Sequence, residues 1–378
     1  MNQKPTLVDL FCGCGGFGLG GELAGFHTVA AVDVDETLQS AYKNNFPNTT
    51  VVNGDLASMD EFDWKCILGK QEIDGVLGGP PCQGYSRMGA GDVNDPRRKL
   101  LEHFFRHVNI IKPKFFIMEN VEGLLDKKNK PQLNDAMKII DDCYTVLAPM
   151  VVDAAEFGAA TKRRRVIVVG FDETRMDTVL ESDLLVKRTF TTIADAIADI
   201  PEPIPQSKDS ITLGYSEYKQ VDKLSKYANE MRKRAPKDLG LPEAKKKLKE
   251  GQVSGVFDTV HSKKVGQRYK DTPQGTTDPV SRSKKLAWNG YSPTLRAGTG
   301  SDKGSHQAVR PLHPDHGRVI TVREAARLQG FPDWFTFHPT KWHSFRMIGN
   351  SVSPIVSKQL LKIISERLIL NINLKETA

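Results

Sequence analysis

The sequence is poor in cysteine and lacks long apolar runs. Its five cysteines among 378 residues are an odd, scattered set, which argues against a disulfide framework and favours a reducing compartment. No apolar run approaches the ~18 residues of a membrane span. The first residues show no signal-peptide core with a cleavage site, so we expect a cytoplasmic protein without a membrane anchor. Cys12 and Cys14 are too close for a Cys-x-x-Cys zinc pair, and no second ligand pair follows, so no metal is expected.

Acidic charge is scarce in one part of the chain. Residues 201–310 carry 22 Lys and Arg against 12 Asp and Glu, whereas the remainder carries 31 against 34. The net charge of +7 therefore comes from a single segment. A surface that binds a polyanion would give this distribution, although a solvated lysine-rich face is an alternative for residues 245–249. The asymmetry of the whole segment favours a nucleic-acid partner.

Apolar runs and helical periodicity alternate through the first 170 residues. This alternation predicts an α/β fold with a doubly wound sheet, followed by a smaller and less regular region. Predicted strands cover residues 6–11, 27–32, 50–52, 75–77, 114–118 and 166–170. Predicted helices cover residues 37–45, 100–112 and 324–329, and a last helix from about 355 should pack on the first domain.

A glycine-rich loop follows the first predicted strand. Gly13, Gly15 and Gly18 match the pattern Gly-x-Gly-x-x-Gly, and Asp33 ends the second strand where a ribose-binding acid belongs. The loop predicts a cofactor that contains a nucleoside, without identifying it. Asp55 is a second acid at a strand end, for which an Asx turn or a helix N-cap is the alternative.

Residues 78–86 read Gly-Gly-Pro-Pro-Cys-Gln-Gly-Tyr-Ser and follow the fourth predicted strand. Two glycines permit a tight turn, and two prolines then stiffen the loop that carries Cys82. A thiol in such a place suits a nucleophile. A small buried cysteine beside a turn is equally compatible with the spacing.

Two further charged features are predicted near the same edge of the sheet. Glu119 directly follows an apolar strand, and the carboxyl ends of parallel strands share one edge. Arg163 and Arg165 lie on one face if their segment is extended. A basic surface turn is the alternative for these two arginines.

Taken in order, six segments carry a family resemblance. They are residues 11–20, 78–86, 119–121, 163–165, 318–330 and 349–352. The chain resembles the bacterial C5-cytosine-specific DNA methyltransferases over nearly its whole length, with about 175–290 outside the motifs. The resemblance implies the Rossmann-like sheet of S-adenosylmethionine-dependent methyltransferases and a smaller, irregular target-recognition domain. We expect a catalytic and cofactor-binding domain at 1–178 plus 345–378, and a DNA-binding domain at 179–344.

The resemblance also implies catalytic roles. Cys82 would add as a thiolate to C6 of cytosine, which makes C5 reactive toward a methyl donor. Glu119 would protonate N3 and bind the exocyclic amine. Arg165, together with Arg163, would hold the carbonyl oxygen of the base, and Asn120 would brace the loop around Cys82.

The implied cofactor is S-adenosyl-L-methionine, with S-adenosyl-L-homocysteine as its product. The glycine loop would border adenosine and methionine, and the acids at 33 and 55 would bind ribose and adenine. The residues implied in cofactor binding are Phe11, Gly13, Gly15, Gly16, Asp33, Val34, Asp55, Leu56, Pro80, Asn350 and Ser351. Val34 offers no aromatic platform, so stacking on adenine would fall to Phe11.

The implied substrate is double-stranded DNA, because a cytosine must be flipped out of the duplex to be reached. The resemblance assigns DNA contacts to Gln83, Ser86, Arg87, Thr294 and Leu295. Thr161 stands where many family members have Gln, which puts one orienting contact in doubt. The expected protein is a monomer, and a cognate restriction endonuclease is an expected partner.

Two other functions compete with this interpretation. A transfer-RNA-methylating branch of the same family shares the Pro-Pro-Cys and Glu-Asn-Val motifs, but lacks a long basic segment. A nucleic-acid-binding protein without catalysis is the second alternative. The intact residues Cys82, Glu119 and Arg165 argue against it.

Overall fold

The computed structural model describes residues 4–81, 99–185, 188–206, 212–297 and 310–376. The predicted site residues Cys82, Gln83, Ser86 and Arg87 lie outside these ranges, so their assignments stay predictions. No helix within the described ranges is both long and apolar enough to cross a membrane.

Eight strands form the central sheet and confirm the predicted α/β class. They are β1 Thr6–Leu10, β2 His27–Asp33, β3 Thr50–Asn53, β4 Gly75–Gly78, β5 Phe115–Val121, β6 Thr145–Val146, β7 Met150–Asp153 and β8 Arg164–Phe171. Their order is β3-β2-β1-β4-β5-β8, with β6 and β7 both paired to the outer edge of β8. Every residue of β1 and β4 is buried, as in a sheet covered on both faces.

The direction of the strands determines which residues lie together at one edge of the sheet. The first five strands are parallel, so their carboxyl ends lie together. Strand β8 runs antiparallel to β5, pairing Arg165 with Val121. The amino end of β8 therefore reaches the same edge as the carboxyl end of β5.

Thirteen α-helices complete the described part of the chain. They are α1 Gly16–Leu23, α2 Glu36–Asn45, α3 Glu61–Leu68, α4 Leu100–Ile111, α5 Lys130–Met137, α6 Glu181–Leu184, α7 Ile193–Ile197, α8 Lys226–Met231, α9 Pro242–Lys249, α10 Lys263–Asp271, α11 Val322–Gln329, α12 Lys341–Asn350 and α13 Pro354–Glu376. Helix α11 begins with the predicted capping box of Thr321 and Glu324, and Gly330 ends it at φ 95°.

Helix α13 packs on α1, as expected for the last helix. The Ser357 hydroxyl donates to the Phe17 carbonyl at 2.6 Å. The helices approach so closely that a Cβ on Gly20 would lie 2.3 Å from the Ser357 side chain. The end of the chain thus covers the first helix of the sheet domain.

The region from α6 to α12 has short helices and a second, two-stranded sheet of β9 Ser216–Glu217 and β10 Gln252–Val253. It nevertheless buries apolar side chains, including Val256 and Leu286. One apolar cluster joins Phe46, which directly follows α2, to Trp334 and Phe335. The region therefore packs against the sheet domain, and the domain boundaries at 178 and 344 stay predictions.

Candidate active site

A cavity of about 440 Å³ opens at the carboxyl edge of the sheet. This volume lies within the range of small-molecule sites. Its lining includes residues predicted to bind the cofactor and residues predicted to act in catalysis. They are Phe11, Gly13, Gly16, Asp33, Val34, Asp55, Leu56, Pro80, Glu119, Asn120, Arg163, Arg165, Asn350 and Ser351. Gly15, Thr294 and Leu295 do not line it. The structure therefore brings the predicted cofactor loop and the predicted catalytic residues Glu119, Asn120, Arg163 and Arg165 to one cavity.

The loop after β1 has an unusual backbone. Phe11 has φ 54°, which is uncommon outside glycine, and Gly13 and Gly15 have φ 53° and 94°. The Gly13 amide donates to Asp33 Oδ2 at 2.8 Å, and burial raises the pKa of Asp33. The loop is thereby tied to the acid at the end of β2. The positive φ of Phe11 places an aromatic ring at the cavity wall.

The turn between α12 and α13 closes the other side of the glycine loop. A Cβ on Gly16 would lie 2.4 Å from the Val352 carbonyl oxygen and 2.9 Å from Ser351 Cβ. Cys14 Sγ lies 3.0 Å from Ser351 Oγ. Only glycine at position 16 allows the two segments to meet.

Replacing Gly16 with alanine is expected to weaken cofactor binding at least tenfold, because the added methyl group must push residues 351 and 352 away. Isothermal titration calorimetry with S-adenosyl-L-homocysteine measures this loss. Gly25→Ala is the matched control: Gly25 has positive φ (102°), but no atom lies within 4 Å of the position that an added methyl group would take. Equal affinities in the two variants would contradict the assigned closure.

A network that the sequence analysis missed holds the loop after β3. Arg106 and His107 of α4 both bond to the Leu56 carbonyl oxygen, each at 2.7 Å. The Trp64 indole donates to His107 Nδ1 at 2.8 Å, so Nε2 carries the proton given to Leu56. Burial lowers the pKa of His107 to about 4, which keeps the ring neutral. The polar residues on the buried face of α4 were the feature of the sequence that could have indicated this network.

Asp55 and Asp9 also hold backbone in place around the cavity. Asp55 accepts from the Ala57 amide at 2.9 Å, which is the Asx turn weighed as an alternative, while still lining the cavity. Asp9, also missed, is buried in β1 and accepts from the Gly18 amide at 3.1 Å and the Tyr42 hydroxyl at 3.3 Å. Burial raises the pKa of Asp9 to about 7.

An ion pair forms the wall of the cavity opposite the glycine loop. Arg165 Nε lies 2.8 Å from Glu119 Oε1, and both side chains are largely buried. Arg163 is 3% exposed and donates to the Gly349 carbonyl at 3.0 Å. The two arginines thus line the same cavity with different partners: Arg165 pairs with the carboxylate, and Arg163 donates to carbonyls at the end of α12.

Asn120 connects β5 to the Pro-Pro-Cys loop. Its Nδ2 donates to the Pro80 carbonyl at 3.1 Å, and its Oδ1 accepts from the Val121 amide at 2.8 Å. Pro80 lies two residues before Cys82 in the sequence. The bracing role of Asn120 around Cys82 stays a prediction.

Two cysteines that line the cavity are poor nucleophiles. Cys12 and Cys14 line it, but burial raises the pKa of Cys12 far above its usual value and that of Cys14 to about 12. Both therefore stay thiols at neutral pH, whereas the thiolate is the reactive form. Within the described ranges, no group of three or more His, Cys, Asp or Glu side chains is arranged to hold a metal.

The Thr294–Leu295 pair lies beside residues 162 and 163, which lead into β8. The exposed Thr294 hydroxyl donates to the Lys162 carbonyl at 2.7 Å. Leu295 is buried in the apolar core, and its carbonyl accepts from Arg163 at 3.5 Å. The Thr161 hydroxyl donates to the Pro293 carbonyl at 3.2 Å. The DNA contacts of Thr294 and Leu295 stay predictions.

Comparison with known proteins agrees with this geometry. Residues 6–366 match the family model for C-5 cytosine-specific DNA methylase. Type II methyltransferase M.XorII of Xanthomonas oryzae pv. oryzae is 40% identical over 379 residues, covering 96% of this chain and 86% of the relative. Type II methyltransferase M.DdeI of Desulfomicrobium norvegicum is 29% identical, covering 95% and 88%.

A solved structure extends the match to three dimensions. A putative DNA modification methyltransferase encoded within an E. coli prophage superposes with a TM-score of 0.86 at 38% identity, covering 97% of this chain and 99% of that one. The chain belongs to the C-5 cytosine-specific DNA methylases.

Proposed function

We propose that the protein transfers a methyl group from S-adenosyl-L-methionine to C5 of a flipped-out cytosine in a specific duplex DNA sequence. The observation that carries the proposal is the meeting of the glycine loop and the Glu119–Arg165 ion pair in one cavity. A cofactor at the loop and a base at the ion pair would then lie side by side.

The cavity suits this cofactor in size and in its polar groups. Asp33 would accept from the ribose hydroxyls, Asp55 and Leu56 would border adenine, and Phe11 would supply the aromatic contact. The buried Asp9 side chain lines the cavity, and its ionised form would suit the positive charge of the sulfonium. When bound, the cofactor supplies an electrophilic methyl group.

Protein residues activate the base in the proposed reaction. The reaction requires Glu119 in its protonated form: the Cys82 thiolate forms a bond to C6, while Glu119 gives that proton to N3 and its carboxylate accepts from the exocyclic amine. Arg165 donates to the carbonyl oxygen of the base, where negative charge develops. Arg163 and Asn120 position the surrounding turn and loop through their main-chain contacts.

The remaining bond changes return the enzyme to its starting state. C5, made electron-rich by the bond from Cys82 to C6, would take the methyl group that the bound cofactor supplies, with S-adenosyl-L-homocysteine as the product. A water molecule takes the C5 proton, the bond from C6 to sulfur breaks, and the C5–C6 double bond forms again. The proton on N3 returns to Glu119.

DNA recognition is proposed for residues 179–344. The excess positive charge of residues 201–310 supports this assignment, because phosphate contacts need cations. Gln83, Ser86 and Arg87 would fill the space left by the flipped base or hold phosphate, and Thr294 would lie near the base. We expect a monomer that acts in the cytoplasm, accompanied by a restriction endonuclease of the same specificity.

Transfer of a radioactive methyl group from the cofactor tests the proposed function. The purified protein should transfer the label to cytosine in duplex genomic DNA and give labelled 5-methylcytosine. It should label transfer RNA far less. Nucleoside analysis of the product identifies the modified base. Preferential labelling of RNA, or methylation of adenine, would contradict the proposal.

A further inference from the structure

Arg310 differs from the other arginines that precede or belong to α11. Arg318 pairs with Glu324 through two bonds of 2.9 Å, Arg323 donates to several backbone and hydroxyl oxygens, and Arg327 contacts two carboxylates. Within the described chain, no carboxylate or carbonyl accepts from Arg310. Its guanidinium instead lies 4.0 Å from the centre of the Phe345 ring.

Two more basic side chains lie near Arg310. Lys341 begins α12 and donates to the Asp258 carbonyl, and the His261 ring accepts from the Val319 amide at 3.5 Å. Among the described carboxylates, Asp258 is the one that acts on both Lys341 and His261. All three basic side chains are half-buried rather than fully solvated. Lys341 lies four residues before Phe345 on α12, and Arg310 covers that ring, so the two cations lie on one face of the helix and the charge of each acts on His261.

Burial lowers the pKa values of all three basic groups. Burial lowers the pKa of Arg310 to about 10. Burial also lowers the pKa of Lys341, and the charge of Arg310 lowers it further. For His261, burial and the charges of Arg310 and Lys341 lower the pKa despite the opposing effect of Asp258. An anion placed among the three groups would relieve both the desolvation and the repulsion.

We propose that Arg310, Lys341 and His261 form a binding site for one phosphate group of the DNA backbone. The proposal rests on the proposed function, since a DNA methylase brings a polyanion to this surface. Arg310 suits such a contact, because the aromatic ring orients its planar guanidinium, which can give two parallel hydrogen bonds to phosphate. His261 and Arg310 belong to the positively charged segment 201–310, and Lys341 follows that segment in the sequence.

A phosphate site and a purely structural role make opposite predictions for Arg310→Met. Methionine keeps an apolar contact with Phe345 and removes the charge. If Arg310 serves to bind an anion, the Arg310→Met variant without a bound anion should be more stable than the wild type, with a rise in Tm of ~1–3 °C. A structural arginine would instead lower Tm when replaced.

DNA binding supplies the second readout. Arg310→Met should weaken binding about tenfold for every duplex sequence, and should reduce the slope of log K against log salt by about 1. Lys138→Met is the control, because Lys138 pairs with the exposed Asp135 near the end of α4 at the opposite edge of the sheet. It should change neither the affinity nor the salt slope.

Inorganic sulfate separates failure of this inference from failure of the proposed function. Millimolar sulfate at constant ionic strength should raise Tm more for the wild type than for Arg310→Met. Unchanged DNA affinity and salt slope in Arg310→Met, or a lowered Tm without a sulfate effect, would overturn the phosphate site. If the wild-type protein shows the sulfate effect but does not bind DNA, the proposed function and the DNA source of the anion are both overturned.

Discussion

Replacing Glu119 with glutamine is expected to lower kcat for methyl transfer roughly 10³-fold, within the range seen for loss of a proton-transfer group. Glutamine can still donate a hydrogen bond to N3 and accept one from the exocyclic amine. It cannot transfer a proton to N3, so addition at C6 loses its driving force. Binding of S-adenosyl-L-homocysteine should stay within about twofold, because Glu119 is not among the residues proposed to hold the cofactor.

Glu122→Gln is the matched control for this prediction. Glu122 follows the same strand and also pairs with an arginine, Arg164, at 2.9 Å, but neither residue lines the cavity. Its kcat should stay within about twofold of the wild type, as expected for a partly exposed ion pair. Single-turnover transfer with pre-bound DNA separates chemistry from binding. A Glu119→Gln enzyme with wild-type kcat would remove Glu119 from the proposed reaction.

Replacing Asp333 with asparagine is expected to lower the free energy of unfolding by about 3–5 kcal/mol. Asp333 and Arg327 are fully buried, and two bonds of 2.6 and 2.7 Å join them. Burial alone would raise the pKa of Asp333, but the charge and hydrogen bonds of Arg327 hold it below its usual value. Asparagine leaves Arg327 with only Asp199 as a charged partner among the described residues, and Asp199 is shared with Arg232.

Urea unfolding at pH 7 measures this loss. Asp135→Asn serves as the control, because it breaks an exposed pair with Lys138 and should cost under about 1 kcal/mol. Since the folded pKa of Asp333 is lowered, its contribution is present at neutral pH and is lost as the pH falls through the folded pKa. The difference between the wild type and Asp333→Asn should therefore shrink in acid. Equal losses for the two variants at pH 7 would contradict the buried role.

Local sequence patterns predicted the sheet domain well. Apolar runs located strands β1 to β5 and β8 because most of these strands are buried over most of their length. The glycine loop was recognisable because close contacts there exclude side chains, as at Gly16. Glu119 was found because strand ends in an α/β sheet converge on one edge.

Contacts between distant segments were not predictable from these patterns. Arg106 and His107 bind a carbonyl about 50 residues away, and the periodicity of α4 does not indicate which residue supplies that carbonyl. Arg163 looked equivalent to Arg165 by alternation, yet it binds the Gly349 carbonyl, 186 residues later. The small region appeared irregular because its order comes from a buried ionic network around α11, rather than from long apolar elements.

Covalent trapping tests the proposed reaction most directly. Bisulfite sequencing of DNA from cells that express the chain first identifies the methylated site. A duplex carrying 5-fluorocytosine at that site is then incubated with the protein and S-adenosyl-L-methionine. Fluorine at C5 cannot leave as a proton does, so the bond from sulfur to C6 should persist. We expect a complex that survives denaturation, with the methylated base attached to Cys82 in peptide mass spectrometry, and no such complex with Cys82→Ser. An adduct on another cysteine, or one that still forms with Cys82→Ser, would contradict the proposed mechanism.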